Sequence, residues 1–145
     1  MNKFLPFLLT LFLLYCGAKD VAVQQEIILD YDLLSDRIIA WDDIFNQEEE
    51  YYVVYFFSET CGHCTNIKKD IISYYLKGIE PMFFVKNPKK EEYYASSSYN
   101  LIGIDNSTDL RIYGVPGLLE IEEKEVLNYH FGEKQILSYL IVQQK

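Results

Sequence analysis

The sequence predicts an α/β domain, and three observations predict it. The aromatic and β-branched run Tyr51-Tyr52-Val53-Val54-Tyr55-Phe56-Phe57 reads as a buried strand. The stretch from Thr65 to Leu76 places Ile67, Ile71, Ile72 and Tyr75 close to helical spacing. Between the two stands Cys61-Gly62-His63-Cys64, so two cysteines three positions apart sit where a strand hands over to a helix. Such a pair can pass between a dithiol and a disulfide.

Ahead of this core the chain opens with Lys3, an almost wholly apolar stretch from Phe4 to Tyr15, then Cys16-Gly17-Ala18 and the polar Lys19-Asp20. The pattern predicts a secretory leader over residues 1–18 and an extracytoplasmic location: periplasmic, cell-surface or secreted. Its end reads in more than one way. Small residues at Cys16 and Ala18 suit cleavage after Ala18, whereas Leu13-Leu14-Tyr15-Cys16 resembles a bacterial lipobox in which Cys16 becomes lipidated. The roughly fifteen apolar residues fall short of the twenty or so that span a bilayer comfortably, and a short uncleaved anchor is the third alternative. Once Cys16 is removed or lipidated, the cysteines reduce to one pair, Cys61 and Cys64.

Residues 19–26 are polar and read as a tether, and residues 27–145 as one domain. A chain of 145 residues, 50% of them apolar or aromatic, can build one ordinary core and has no room for a second. Ile27-Ile28-Leu29 opens a first strand. Asp36 or Asp42 caps a helix through Trp41, Ile44 and Phe45, which ends in the solvated acidic run Glu48 to Glu50. After the central strand and the motif helix, Gly78 stops the helix and Met82-Phe83-Phe84-Val85 forms a short buried strand ended by Pro88. Lys89 to Tyr99 carries helix formers and then three serines, predicting a short helix and a loop. Asn106-Ser107-Thr108-Asp109 predicts a cap leading into Leu110 to Ile112; it also spells a glycosylation sequon, and the cap is the preferred reading. From Gly114 onward Leu118 to Ile121, a charged turn at Glu122 to Glu125, and Val126 to Phe131 read as a hairpin closed by Gly132. Glu133 to Val142 then puts Ile136, Leu137, Leu140 and Ile141 on one helical face.

The formal charge of −9 comes from 13 basic and 22 acidic residues, and dropping the leader removes only Lys3. That balance argues against a nucleic-acid partner. The 13 tyrosines are spread through strands and helices, and read as core and surface residues rather than a binding box.

The order of elements, with the dithiol at the second strand-to-helix junction, resembles the thioredoxin family over residues from about 27 to 143. The resemblance implies a thioredoxin fold: a central mixed β-sheet flanked by helices, with the C-x-x-C pair at a helix N-terminus. Gly114-Val115-Pro116 stands where thioredoxins place the cis-proline that faces the disulfide, so a cis Val115-Pro116 bond is predicted. Gly132 followed by an amphipathic helix matches the family's end. Cys61-Gly62-His63-Cys64 is similar to the active sequence of protein disulfide isomerases, whereas reducing thioredoxins usually carry proline where His63 stands.

The resemblance also implies roles. A thiolate attacks disulfides, and a free cysteine is mostly protonated near neutral pH. At Cys61 the helix N-terminus supplies unpaired N–H groups and partial positive charge, so Cys61 is expected to attack and Cys64, one turn deeper, to resolve. A charged His63 would stabilise the thiolate and make the pair more oxidising. Val115 and Pro116 are expected to present backbone to an extended client. The implied activity is that of an exported thiol-disulfide oxidoreductase that forms, reshuffles or reduces disulfides. It would be a monomer acting on cysteine-containing exported clients, with a membrane or extracytoplasmic redox partner and with no metal or organic cofactor. The alternatives are a dedicated reductase that keeps exported or apocytochrome thiols reduced, and a non-enzymatic adaptor.

Three positions depart from the family. Tyr55 stands where a buried carboxylate is usual, Thr60 where a Trp commonly precedes the first cysteine, and Gly117 where threonine usually follows the proline. Glu59 or Lys86 could substitute as proton carriers, but surface charges are the simpler reading. Structural zinc wants four ligands in separated pairs, and beyond Cys61, Cys64 and His63 the chain offers only His130, read as an exposed or hydrogen-bonded strand residue. A purely structural disulfide would close too short a loop to stabilise much.

Overall fold

The structure, a computed structural model, describes residues 29–94 and 100–145. The leader, the tether, Ile27, Ile28 and residues 95–99 lie outside the described residues. Strand β1 (Tyr51–Phe57) pairs in parallel with β2 (Met82–Lys86) and antiparallel with β3 (Gly117–Glu122), and β3 pairs antiparallel with β4 (Glu125–Phe131). The sheet order is β2-β1-β3-β4. A parallel neighbour requires a crossover, which helix α1 (Gly62–Lys77) supplies. Helix α2 (Gly132–Gln143) closes the chain, and the hairpin between β3 and β4 turns at Glu123 and Lys124, both at positive φ.

Because β1 is central and covered on both faces, it is a continuous apolar run rather than an alternating one. Val53, Tyr55 and Phe57 face α1 and α2, packing with Ile67, Ile71 and Ile136. Tyr52, Val54 and Phe56 face the opposite way, onto Ile44, Leu110 and Ile112. Each fully buried side chain of this size contributes roughly 1.5–3 kcal/mol of transfer free energy. Two helices therefore cover one face of the sheet, and short irregular segments cover the other. Among the described residues, no helix is long and apolar enough to cross a membrane.

The strands and the motif helix stand where the sequence placed them. Helix α1 ends at Gly78, whose φ of 61° is left-handed and whose N–H bonds the Tyr75 carbonyl. Five expectations change. Leu29 is in no strand, and the chain instead reaches the sheet at Ile38, which bridges to Phe84 beyond a 3-10 helix over Tyr31–Arg37. The helix through Trp41, Ile44 and Phe45 is only a 3-10 turn over Trp41–Asp43. The Asn46 and Gln47 side chains take the Asp42 and Asp43 carbonyls at 3.1 and 2.6 Å, and the Tyr52 hydroxyl takes that of Ile44 at 2.7 Å. Asn106 does cap Asp109 N–H at 2.9 Å, yet no helix follows, because the Arg111 guanidinium holds the Thr108 and Leu110 carbonyls and Ile112 bridges to Tyr93. The short helix after Lys89 is a single 3-10 turn over Lys90–Glu92, at the end of which Glu92 and Tyr94 pair with the backbone of Ile112. On α2 the buried face is Ile136, Tyr139 and Leu140, while Ile141 is 59% exposed.

A polar network crosses the helix-covered face. The Tyr51 hydroxyl bonds Glu120 Oε2 at 3.2 Å and the Tyr139 hydroxyl at 3.0 Å. Tyr139 and Tyr74 both donate to Glu80 Oε1, at 2.7 and 2.5 Å. Glu120 is buried, and its Oε1 lies 2.5 Å from His130 Nε2.

Candidate active site at the start of helix α1

Cys61 is the N-cap of α1. Its extended backbone ends the loop from β1, and its Sγ accepts the Cys64 N–H at 3.2 Å, satisfying one of the helix's otherwise unpaired donors. On its other side the same sulfur lies 3.6 Å from the Val115 carbonyl oxygen. Val115 is held there by the loop before β3, where the Val115-Pro116 bond is cis, as the sequence predicts. The site thus brings Cys61, Cys64, Val115 and Pro116 together. Both cysteines are free thiols, Cys61 half-buried and Cys64 fully buried. Burial, and then the bond to Cys61, pushes the Cys64 thiol up to about 12.

His63 is turned differently from expectation. Its side chain is 76% exposed, and its Nδ1 lies 2.5 Å from Glu133 Oε1, in the first turn of α2. Asn66 donates to that same oxygen at 2.9 Å. Among the described residues, the hydrogen bond of the His63 ring goes to Glu133 and not to either sulfur. The bonds from His63, then Asn66, hold the Glu133 carboxyl below its ordinary value. Sequence reasoning missed Glu133 and Asn66. The only available signal was that Glu133 opens the last helix, where a carboxylate suits the helix dipole.

One of the departures from the family's pattern has a local cause. At Gly117 an added Cβ would lie 2.5 Å from the Tyr129 hydroxyl, so the ring over this position leaves room for glycine alone. Tyr129 in turn donates to the Gly114 carbonyl at 3.2 Å, and it belongs to an aromatic group with Tyr113, Tyr94 and Phe131 beside the Val115 loop. The spread-out reading of the tyrosines missed this gathering. Tyr55 lies in the core with Cys64, below the motif, and its hydroxyl is buried with no hydrogen-bond partner among the described residues. The neighbouring Tyr31 hydroxyl donates to the Cys64 carbonyl at 3.1 Å. Tyr55→Phe removes an unsatisfied polar atom without opening a cavity, so urea unfolding is expected to show stability unchanged or raised by up to about 1 kcal/mol. Glu59 and Lys86 pair at 2.8 Å on the surface, in line with the simpler reading of them. His130 is paired with Glu120 on the sheet, and among the described residues no three His, Cys, Asp or Glu side chains gather as metal ligands would.

No family model and no curated protein matches the chain. Solved structures do. Thioredoxin f2 of Chlamydomonas reinhardtii superposes with a TM-score of 0.52 at 18% identity, over 74% of this chain and 93% of that one. The long form of thioredoxin f from spinach chloroplast gives 0.51 at 13% identity, over 79% and 92%. A crystal structure of a ferredoxin:thioredoxin reductase and thioredoxin f2 complex gives 0.51 at 14% identity, over 74% and 94%. With the sheet order, the crossover helix and the position of the cysteine pair, these likenesses establish that the chain has the thioredoxin fold.

Proposed function

We propose that the protein is an exported thiol-disulfide oxidoreductase working through the Cys61-Cys64 pair. The observation that carries the reading is the placement of Cys61 Sγ between the Cys64 N–H at 3.2 Å and the Val115 carbonyl at 3.6 Å, with a second thiol buried one turn behind it. In the reducing direction the Cys61 thiolate attacks one sulfur of a client disulfide, forming a mixed disulfide and releasing the client's other sulfur as a thiolate. Cys64 then gives up its proton and attacks Cys61 Sγ, closing the Cys61-Cys64 disulfide and releasing the second client thiol. Two electrons pass to the client. The reverse sequence oxidises it.

The N–H bond to Cys61 Sγ favours the sulfur that carries charge, while burial keeps Cys64 protonated until its turn. Val115 and Pro116 would align an extended client strand beside Cys61. His63 would tune the pair as in disulfide isomerases, and its contact with Glu133 makes that tuning conditional. The clients would be cysteine-containing exported proteins. Electrons would pass to or from another protein dithiol in the membrane or outside the cytoplasm, as the complex of a structural neighbour with its reductase suggests by analogy. Residues 1–18 would direct export, ending in cleavage, lipidation of Cys16 or a short anchor.

The test is equilibration of the purified chain in glutathione buffers of known ratio, with site-resolved thiol trapping of Cys61 and Cys64. The expected midpoint is near about −180 mV, the range of disulfide isomerases. A midpoint near about −270 mV would instead identify a reductase. A pair that fails to cycle would leave only an adaptor.

A further inference from the structure

Resting on that reading, we infer that Glu133 is a positioning residue that mutes His63 and so limits the reactivity of Cys61. His63 lies in the first turn of α1, two residues after Cys61, and Glu133 lies in the first turn of α2. The His63-Glu133 contact, at 2.5 Å between Nδ1 and Oε1, joins the starts of the two helices, and Asn66 fixes the same oxygen at 2.9 Å from the next turn of α1. The carboxylate is therefore gripped from two positions on the active-site helix. The ring cannot turn its Nδ1 toward Cys61 without leaving this grip.

The charge balance gives the direction of the effect. A protonated imidazole beside Cys61 favours the thiolate. Paired with an ionised carboxylate, it forms a neutral unit whose two charges largely cancel at the sulfur. Nearby charged groups are matched elsewhere: Lys68 with Asp30 at 3.3 Å, and Lys86 with Glu59 at 2.8 Å. The His63-Glu133 pair is thus the charge pair at the first turn of α1 among the described residues. Removing the carboxylate charge leaves the imidazolium charge uncancelled at the sulfur.

The experiment measures the rate of iodoacetamide alkylation at Cys61 against pH in the full reduced chain, with the site resolved by peptide mass spectrometry. Glu133→Gln keeps the size and the bonding capacity to Asn66 while removing the charge. Near pH 6 it is expected to raise the rate about two- to fivefold, the scale of an exposed charge contact. In a His63→Ala background the same substitution is expected to do nothing, because the effect runs through His63. A rate profile that does not move, or a rise that survives loss of His63, would overturn the inference. Glu133 is partly exposed and Gln is isosteric, so the variant folds; its urea midpoint separates a merely structural tie between the helices from control of the sulfur. Alkylation reports on the Cys61 thiolate whether or not the pair exchanges with disulfides. Failure of the glutathione titration would therefore remove the oxidoreductase reading while leaving this outcome separately legible.

Discussion

Cys61→Ser is expected to lower disulfide-exchange turnover by roughly a thousandfold or more, while leaving the fold intact. A serine hydroxyl can cap α1 as well as the sulfur does, since serine is among the preferred N-cap residues, so the helix start does not collapse. What is lost is the nucleophile: a hydroxyl does not ionise near neutral pH and cannot form the mixed disulfide. Cys64→Ser should behave differently. Its Cys61 can still attack, but no second sulfur lies behind it, so the mixed disulfide accumulates and is seen by non-reducing electrophoresis against a disulfide-containing client. An adaptor would bind its partner equally well in both variants. Turnover lost in both, with trapping only in Cys64→Ser, is the pattern that assigns attack to Cys61 and resolution to Cys64.

His130→Ala should cost about 2–3 kcal/mol of stability at neutral pH, read from urea unfolding. Glu120 is 9% exposed in the middle of β3, and His130 is its charged or hydrogen-bonding partner at 2.5 Å. Removing one partner of a buried pair leaves the other desolvated and unpaired; the bond Glu120 keeps from Tyr51 holds the cost below the upper end for such losses. The pH dependence has a definite sign. Burial pushes the Glu120 carboxyl up, but the hydrogen bond and charge of His130, with the bonds of Tyr51 and Asn128, outweigh it and hold the group below its ordinary value. A carboxyl depressed on folding contributes stability that is whole above the ordinary carboxylate range of about 4.3, and that is lost as pH falls through the folded value. The gap between wild type and His130→Ala should therefore be widest near neutrality and should narrow in acid. A gap that stays constant with pH would mean that the loss is one of packing alone.

The elements legible in the sequence were those whose patterns are fixed locally. Strand β1 was visible because burial on both faces makes every position apolar, and α1 because its isoleucines recur at helical spacing and Gly78 ends it. The dithiol and Pro116 were visible because spacing and residue type carry their chemistry. Of the false helices, the one after Asn106 had its expected cap, whereas the turn at Trp41 begins at Ala40 with no side-chain cap from Asp36 or Asp42. Both failed because Asn46, Gln47 and Arg111, polar residues that read as neutral in a pattern, reach back to the carbonyls a helix would need. The partners of the two histidines were illegible for a different reason. His130 meets Glu120 across a strand pair whose register shifts between Glu120 and Ile121, and His63 meets Glu133 some 70 residues away through the packing of two helices. Neither contact follows from any local window. Reading His63 by its neighbours in sequence aimed it at Cys61, whereas tertiary packing offered it a carboxylate.

The starts of α1 and α2 lie side by side, joined by His63 and Glu133 and flanked by the Gly132 N–H donated to Pro116 O at 3.0 Å. The positive end of the α1 dipole therefore lies at the Cys61 sulfur and that of α2 at the same end of the fold, in a chain whose formal charge is −9. The local electric field at Cys61 is set by peptide groups within a few ångströms, while the overall charge acts on whatever approaches from farther away. Dissolved salt separates the two. Beyond a Debye length of about 8–10 Å it screens the long-range repulsion of anionic clients, but it barely reaches the field that the half-buried sulfur feels. Ionic strength should thus govern how often a client arrives, and leave the reactivity it meets on arrival nearly unchanged.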